Sequence, residues 1–209
     1  VAEFKSLDGQ FADNVIIQIK NGPIDFQPRE PFSPLFGQLY NTPMMMEFQI
    51  TQEYLGFSNH LVYHGTTYEE CLDSDTYRDG KGSTVAKMVK AIAGVANTGQ
   101  DPNFCGYIFA QSNWYAFGRL AWNPTLSAEQ IADEWVRQTF IKPKGMTSTA
   151  YEQKFLIPVK DMMMSSRETA VNYMMPLGFH HIFGGSHYGP GPWENSIRRP
   201  DWSPIFYHK

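Results

Sequence analysis

The residues best equipped for chemistry in this 209-residue chain are two carboxylates, Asp25 and Glu53. A pair of carboxyl groups can divide acid and base work. One gives a proton to a leaving oxygen while the other attacks or activates water, which is what cleavage of a glycosidic bond requires. From spacing alone, an ordinary surface or structural carboxylate is the better reading of each. Their settings argue for more: Asp25 lies within KNGPIDFQPREP, where Gly22 and Pro23 set a tight turn beside Lys20, and Glu53 ends an apolar run among Gln49, Gln52 and Tyr54. Lys20 reads as a solvated strand-end charge or, aimed into a cleft, as the partner of an acidic sugar's carboxylate. Arg29 is a second cation, better read as structural.

Three further groups need weighing. Alternation along PMMMEFQI puts Met45, Glu47 and Gln49 on one face, so a Glu47 turned inward needs a partner, and a structural ion pair is expected. His180, His181 and His187 lie in HHIFGGSHYG, which matches no ordered zinc spacing, so packing or hydrogen bonding is the better reading and no metal is expected. Trp193, in HYGPGPW, and Trp202 can form a sugar-stacking wall or an aromatic plug between domains, and both readings stand.

The elements that must position these residues follow from pattern and punctuation. Residues 14–20, NVIIQIK, run into the breaker Asn21-Gly22-Pro23 and predict a strand; a proline-rich functional loop follows, and residues 43–50 predict a second strand. Beyond a loop with acidic and Gly-rich stretches, Val85, Met88, Val89 and Ile92 recur at helical spacing and predict an amphipathic helix over 83–95. Residues 114–122, WYAFGRLAW, predict a helix packed on all sides and interrupted at Asn123-Pro124, where a domain boundary is placed. Ser127 and Gln130 form a capping box, with Leu126 stapled onto Ile131 and a buried stripe of Ile131, Trp135 and Val136. A further helix is predicted over 162–175, ended by Pro176, and residues 177–209 read as loop-dominated. Strands alternating with crossovers and helices predict a parallel α/β arrangement, in which ligands gather at the C-terminal ends of the strands.

Bulk composition narrows the partners. With 42% hydrophobic and 15% aromatic residues the chain can fill a packed core, and a net charge of -4 offers no basic field for nucleic acid. No run approaches the ~20 apolar residues that span a bilayer. The opening VAEFKSLDGQ resembles neither a signal nor a transit peptide and reads as mid-domain sequence. Cys71 and Cys105, the two cysteines, do not form a CxxC motif, which points to a reduced compartment without excluding secretion, so localisation stays open.

Several long segments, taken in order, resemble the family 67 α-glucuronidases: KNGPIDFQPREPFSPLFG, NTPMMMEFQITQEYLGF, DSDTYRDGKGSTVAKMV, GVANTG, FAQSNWYAFGRLAW and HYGPGPW. The resemblance implies an N-terminal domain, a central (β/α)8 TIM barrel and a helix-rich C-terminal domain that can mediate homodimerisation. Residues 1–122 would be the C-terminal part of the barrel, and residues 123–209 a truncated helix-rich domain. It also implies hydrolysis, with inversion and without a cofactor, of the α-1,2 bond between 4-O-methyl-glucuronic acid and the terminal xylose of xylo-oligosaccharides. Asp25 and Glu53 then match the general-base pair, Lys20 a lysine that holds the uronate carboxylate, and Trp202, with Trp193 as the alternative, a tryptophan that packs against the sugar. The general acid is expected upstream of Val1, and the isolated chain is expected to lack normal activity. A carbohydrate-binding or subunit-interaction module and a different barrel glycosidase are the competing readings.

Overall fold

The computed structural model describes residues 1–22, 32–51, 61–98, 100 and 107–174. Three short strands, β1 (Ile17–Lys20), β2 (Met44–Gln49) and β3 (Val89–Val95), form one parallel sheet in the order β1-β2-β3. All three therefore end at the same edge. In register Ile19 lies opposite Met46, Lys20 opposite Glu47 and Phe48 opposite Gly94. Alternation then gives the sheet two different faces. One carries Ile17, Ile19, Met44, Met46, Phe48 and Ile92, and belongs to the core. The other carries Gln18, Lys20, Glu47 and Gln49, beside the small residues Ala91 and Ala93 on β3.

Helices cover the apolar face. After α1 (Ala2–Ser6), the helix α2 (Gly65–Asp73) forms in the β2–β3 crossover, burying Thr67, Tyr68, Cys71 and Leu72, and a single turn, α3 (Val85–Met88), precedes β3. The segment read above as a loop thus contains α2, whose buried positions 68, 71 and 72 have helical spacing. A second difference lies at 83–95. The expected helix stops at Met88, and residues 89–95 pair with β2 as a strand. Val89 and Ile92 suit either period, so position in the sheet decides. Gly94 shows why a strand fits: a Cβ there would stand 2.6 Å from Ile50 Cδ1 and 2.9 Å from the Phe117 ring, so the sheet and the next helix approach too closely for a side chain.

That helix, α4 (Ala110–Trp122), buries Ser112, Asn113, Ala116 and Leu120 and leaves Trp122 87% exposed. It is a one-sided helix, where packing on all sides was expected. The turn at 123–127 leads into α5 (Ala128–Thr139). As the sequence predicts, the Ser127 hydroxyl accepts from the Gln130 N–H, the Gln130 side chain accepts from the Ser127 N–H, and Ile131, Trp135 and Val136 are buried. Thr147 then caps α6 (Ser148–Tyr151), which passes through a π-helical turn (Glu152–Leu156) into α7 (Ile157–Met174). The helix is longer than the 162–175 pattern indicates. Pro158 has no N–H for a helical hydrogen bond and its ring would crowd the carbonyl of the preceding turn. The wider π turn just before it lets the helix continue.

Residues 62–64 fasten the sheet region to these helices. The Tyr63 N–H donates to Ser166 Oγ at 2.8 Å, the Tyr63 hydroxyl to the Ala128 carbonyl at 3.0 Å, and the His64 N–H to Asn113 Oδ1 at 2.8 Å, while Asn113 Nδ2 donates to the Val62 carbonyl. Arg167 on α7 pairs with Glu70 on α2. The observed architecture is a mixed α/β fold, a small parallel sheet backed by helices.

Candidate functional site

Lys20 ends β1, and its register partner is Glu47 on the polar face of the sheet. Glu47 is 9% exposed, and among the described residues its partner is the amide of Gln18, whose Nε2 donates to Glu47 Oε2 at 2.7 Å. Within the described residues Glu47 is thus held by a hydrogen bond from a neutral amide. Gln18, two residues before Lys20 and on the same face, can orient the carboxylate without adding charge. Nothing in the spacing of NVIIQIK marks this, because the contact spans two strands.

The rest of the edge is held by backbone geometry. The Asn21 N–H donates to the Glu47 carbonyl at 2.9 Å, continuing the β1–β2 ladder one residue beyond the strand. Asn21 is 3% exposed, and its Oδ1 is buried without a hydrogen-bond partner among the described residues. A buried acceptor in that state is costly unless a ligand or water donates to it, so Asn21 joins the candidate site. In the sequence it stands out only as a breaker. On β2, the Ile50 N–H donates to the Val95 carbonyl at 2.8 Å, and Thr51 Oγ1 accepts from the Asn97 N–H at 3.1 Å. The hydroxyl of fully buried Tyr68 donates to the Gln49 carbonyl at 2.6 Å. Strand ends tied to each other and to α2 are a rigid base for the two segments that leave here, one carrying Asp25 and the other Glu53.

Asp25, Glu53, Trp193 and Trp202 lie outside the described residues, as do Arg29, His180, His181, His187 and Cys105. Of the residues singled out for the site, the structure places Lys20, and it brings Glu47, Gln18, Gln49 and Asn21 to the same edge. Cys71 lies on the buried side of α2, and its burial, with Glu70 nearby, pushes the thiol well above the usual range, which suits a structural cysteine. Among the described residues no group of three or more His, Cys, Asp or Glu side chains is placed to hold a metal ion, and no helix is long and apolar enough to cross a membrane.

A lysine, a carboxylate and side-chain amides gathered at the C-terminal edge of a parallel sheet suit recognition of a polar, acidic ligand. Residues 1–104 match the model of the glycosyl hydrolase family 67 middle domain, and residues 105–209 that of the family's C-terminus. The chain is 44% identical over 200 residues to a probable alpha-glucuronidase A of Aspergillus flavus and 42% identical over 200 residues to alpha-glucuronidase A of Emericella nidulans, in each case over 90% of this chain and 23% of the relative. A probable alpha-glucuronidase A of Aspergillus niger is 42% identical over 203 residues, 92% of this chain and 23% of that protein. The chain thus spans about a quarter of the length of these curated relatives. With the two domain models together accounting for every residue from 1 to 209, the chain belongs to glycosyl hydrolase family 67.

Proposed function

We propose that this chain supplies part of the active site of a xylan α-1,2-glucuronidase, a glycoside hydrolase that releases 4-O-methyl-glucuronic acid from the terminal xylose of xylo-oligosaccharides. The observation that carries the reading is the parallel register that sets Lys20 beside Glu47 on the polar face of the sheet, at the edge from which the segments bearing Asp25 and Glu53 depart. The names of the relatives, alpha-glucuronidase A, point the same way and do not favour a non-catalytic binding module.

In this reading residues 1–122 are the C-terminal part of a (β/α)8 barrel, with the polar face of the sheet turned inward, and residues 123–209 are a helix-rich domain. Support comes from the strand order β1-β2-β3 and from Phe117 of α4 packing against Gly94 on the core-facing side. The reaction is a single displacement with inversion. Asp25 and Glu53 hold a water opposite the leaving xylose and take its proton, while a carboxylic acid from outside these 209 residues protonates the glycosidic oxygen. Lys20 pairs with the uronate carboxylate, and Trp202, or else Trp193, packs against the sugar. No metal or cofactor takes part, and the protein dimerises through residues 123–209.

Release of 4-O-methyl-glucuronic acid from aldotetraouronic acid tests the proposal, with the 209-residue chain assayed beside the full gene product that contains it. Activity in the full product alone is the expected outcome. Activity in neither would overturn the hydrolase assignment, and activity in both would overturn the placement of the general acid.

A further inference from the structure

We propose that a cavity at the opposite edge of the sheet, where β2 and β3 begin, binds a carboxylate-bearing sugar of monosaccharide size. The cavity is about 300 Å³, and Tyr40, Asn41, Arg78, Lys87 and Lys90 are among the residues that line it. That volume is at the small end of the range for ligand pockets. Three cations, Arg78, Lys87 and Lys90, line its wall with one carboxylate, Asp79, while the carboxylates of Asp8 and Asp75 stand behind the wall, taken up by backbone N–H groups, so the lining itself favours an anion.

The loop at 75–84 presents Arg78 in a fixed setting. Asp75 accepts from the Tyr77 and Gly82 N–H groups. The Ser83 carbonyl accepts from the Thr76 N–H and hydroxyl, and Ser83 Oγ accepts from the Asp79 N–H. Tyr77 is held at a φ of +55°, which side chains rarely adopt and which persists where surrounding bonds impose it. Arg78 is mostly covered. Its Nη1 donates to the Leu39 carbonyl at 2.8 Å, and the Tyr40 ring lies 4.1 Å from its guanidinium carbon. Its Nε is buried without a hydrogen-bond partner among the described residues, with Asp79 Oδ2 3.6 Å away. A guanidinium with spare donors and one face on an aromatic ring is suited to a planar carboxylate.

Lys90 has its own irregularity. Met44 lies opposite Val89 and Met45 opposite Ala91, so Lys90 is the extra residue at a break in the β2–β3 register. Such breaks re-aim a side chain, and here they give the cavity a cation that has no hydrogen bond or ion pair among the described residues. Lys87 Nζ donates to the neutral Gly82 carbonyl at 2.8 Å, and Asp75 is near enough for its carboxylate to feel the Lys87 charge. The Tyr40 ring and the Asn41 amide, whose Nδ2 also donates to Asp8 Oδ2 at 3.3 Å, add stacking and hydroxyl recognition, which a bare oxyanion would not use. The choice of a sugar acid over phosphate also rests on the hydrolase reading, which makes uronic acid the available ligand.

Calorimetric titration of the full gene product with D-glucuronate, with inorganic phosphate and D-glucose as comparisons, tests the inference. In a Lys20→Met background, which disables the other edge of the sheet, glucuronate binding should persist. Adding Lys90→Glu or Lys87→Glu should weaken it at least tenfold, with the far-UV circular dichroism unchanged. Arg78→Met should do the same, but Arg78 also ties down Leu39, so the exposed Lys90 carries the test. Abolition of all binding by Lys20→Met, indifference to Lys90→Glu, or equal affinity for phosphate or glucose would each overturn the proposal. Lys90-dependent glucuronate binding in a product without hydrolase activity would overturn the function proposed above and leave this cavity site standing.

Discussion

The hydroxyl of Tyr68 on α2 donates to the carbonyl of Gln49, the last residue of β2, at 2.6 Å, and the Tyr68 ring centre lies 4.5 Å from that of Phe48. One buried side chain thus packs on the core face of the strand and caps its end. Tyr68→Phe keeps the packing and removes the donor, leaving a carbonyl without its partner. The expected loss is about 1–3 kcal/mol in urea unfolding. Because the Glu53 segment leaves from this strand end, turnover of the full product should fall as well, at temperatures where the variant is folded. An unchanged unfolding midpoint would show that water replaces the hydroxyl at no cost.

Gly94→Ala should destabilise by roughly 1–3 kcal/mol, the usual range for forcing a methyl group into a packed core. The added Cβ meets Ile50 Cδ1 and the Phe117 ring at less than contact distance. The Ile50 methyl can turn aside, but the aromatic ring on α4 has less room. Thermal unfolding checks this, and a neutral result would mean that the ring shifts freely.

Gly94 also shows where the sequence was legible and where it was not. Strands β1 and β2 were readable because each is a short apolar run beside a breaker, and the start of α5 because Ser127 and Gln130 report on each other locally. Residues 89–95 were misread because apolar positions at 85, 88, 89 and 92 fit a helix until a neighbouring strand is supplied. α2 was missed since its first turn, Gly65-Thr66-Thr67, consists of poor helix formers and its stability comes from burying Tyr68, Cys71 and Leu72. Within the site, Lys20 was legible from its place at a strand end. The Gln18–Glu47 bond, and the burial of an Asn21 Oδ1 that has no partner among the described residues, exist only once β1 lies beside β2.

If Asp25 and Glu53 activate the water, Asp25→Ala and Glu53→Ala in the full product should each lower kcat by about 10²–10⁴-fold. Lys20→Met should act differently, raising KM for uronate-bearing substrates more than it lowers kcat, since its proposed partner is a carboxylate remote from the bond being broken. Near-wild-type kinetics for any one of the three would remove that residue from its assigned role.

Acid sensitivity should trace largely to His64. Its ring is buried, stacks against Tyr68 with centroids 5.9 Å apart, and has an Nε2 without a hydrogen-bond partner among the described residues. Burial, helped by the nearby Arg167 charge, lowers its pKa from 6.5 to about 3, so the folded state holds a neutral imidazole. Above pH 6.5 neither folded nor unfolded chain protonates it, and stability is unaffected. As pH falls from 6.5 towards 3 the unfolded chain gains a proton that the folded one refuses, and stability should drop by up to about 1.4 kcal/mol per pH unit. Asp8 acts in a lower window. Partial desolvation pulls its carboxyl up, but the N–H groups of Tyr40, Asn41 and Thr42 outweigh this and hold it at about 2, so its contribution is present above pH 4 and lost between roughly 4 and 2. Urea unfolding at pH 7, 6, 5 and 4.5 separates the two, because Asp8 is ionised in both states over nearly all of that range. His64→Phe, which keeps a ring against Tyr68 and cannot titrate, should flatten that part of the profile. A wild-type profile already flat between pH 6.5 and 4.5 would mean that His64 can take a proton in the folded protein.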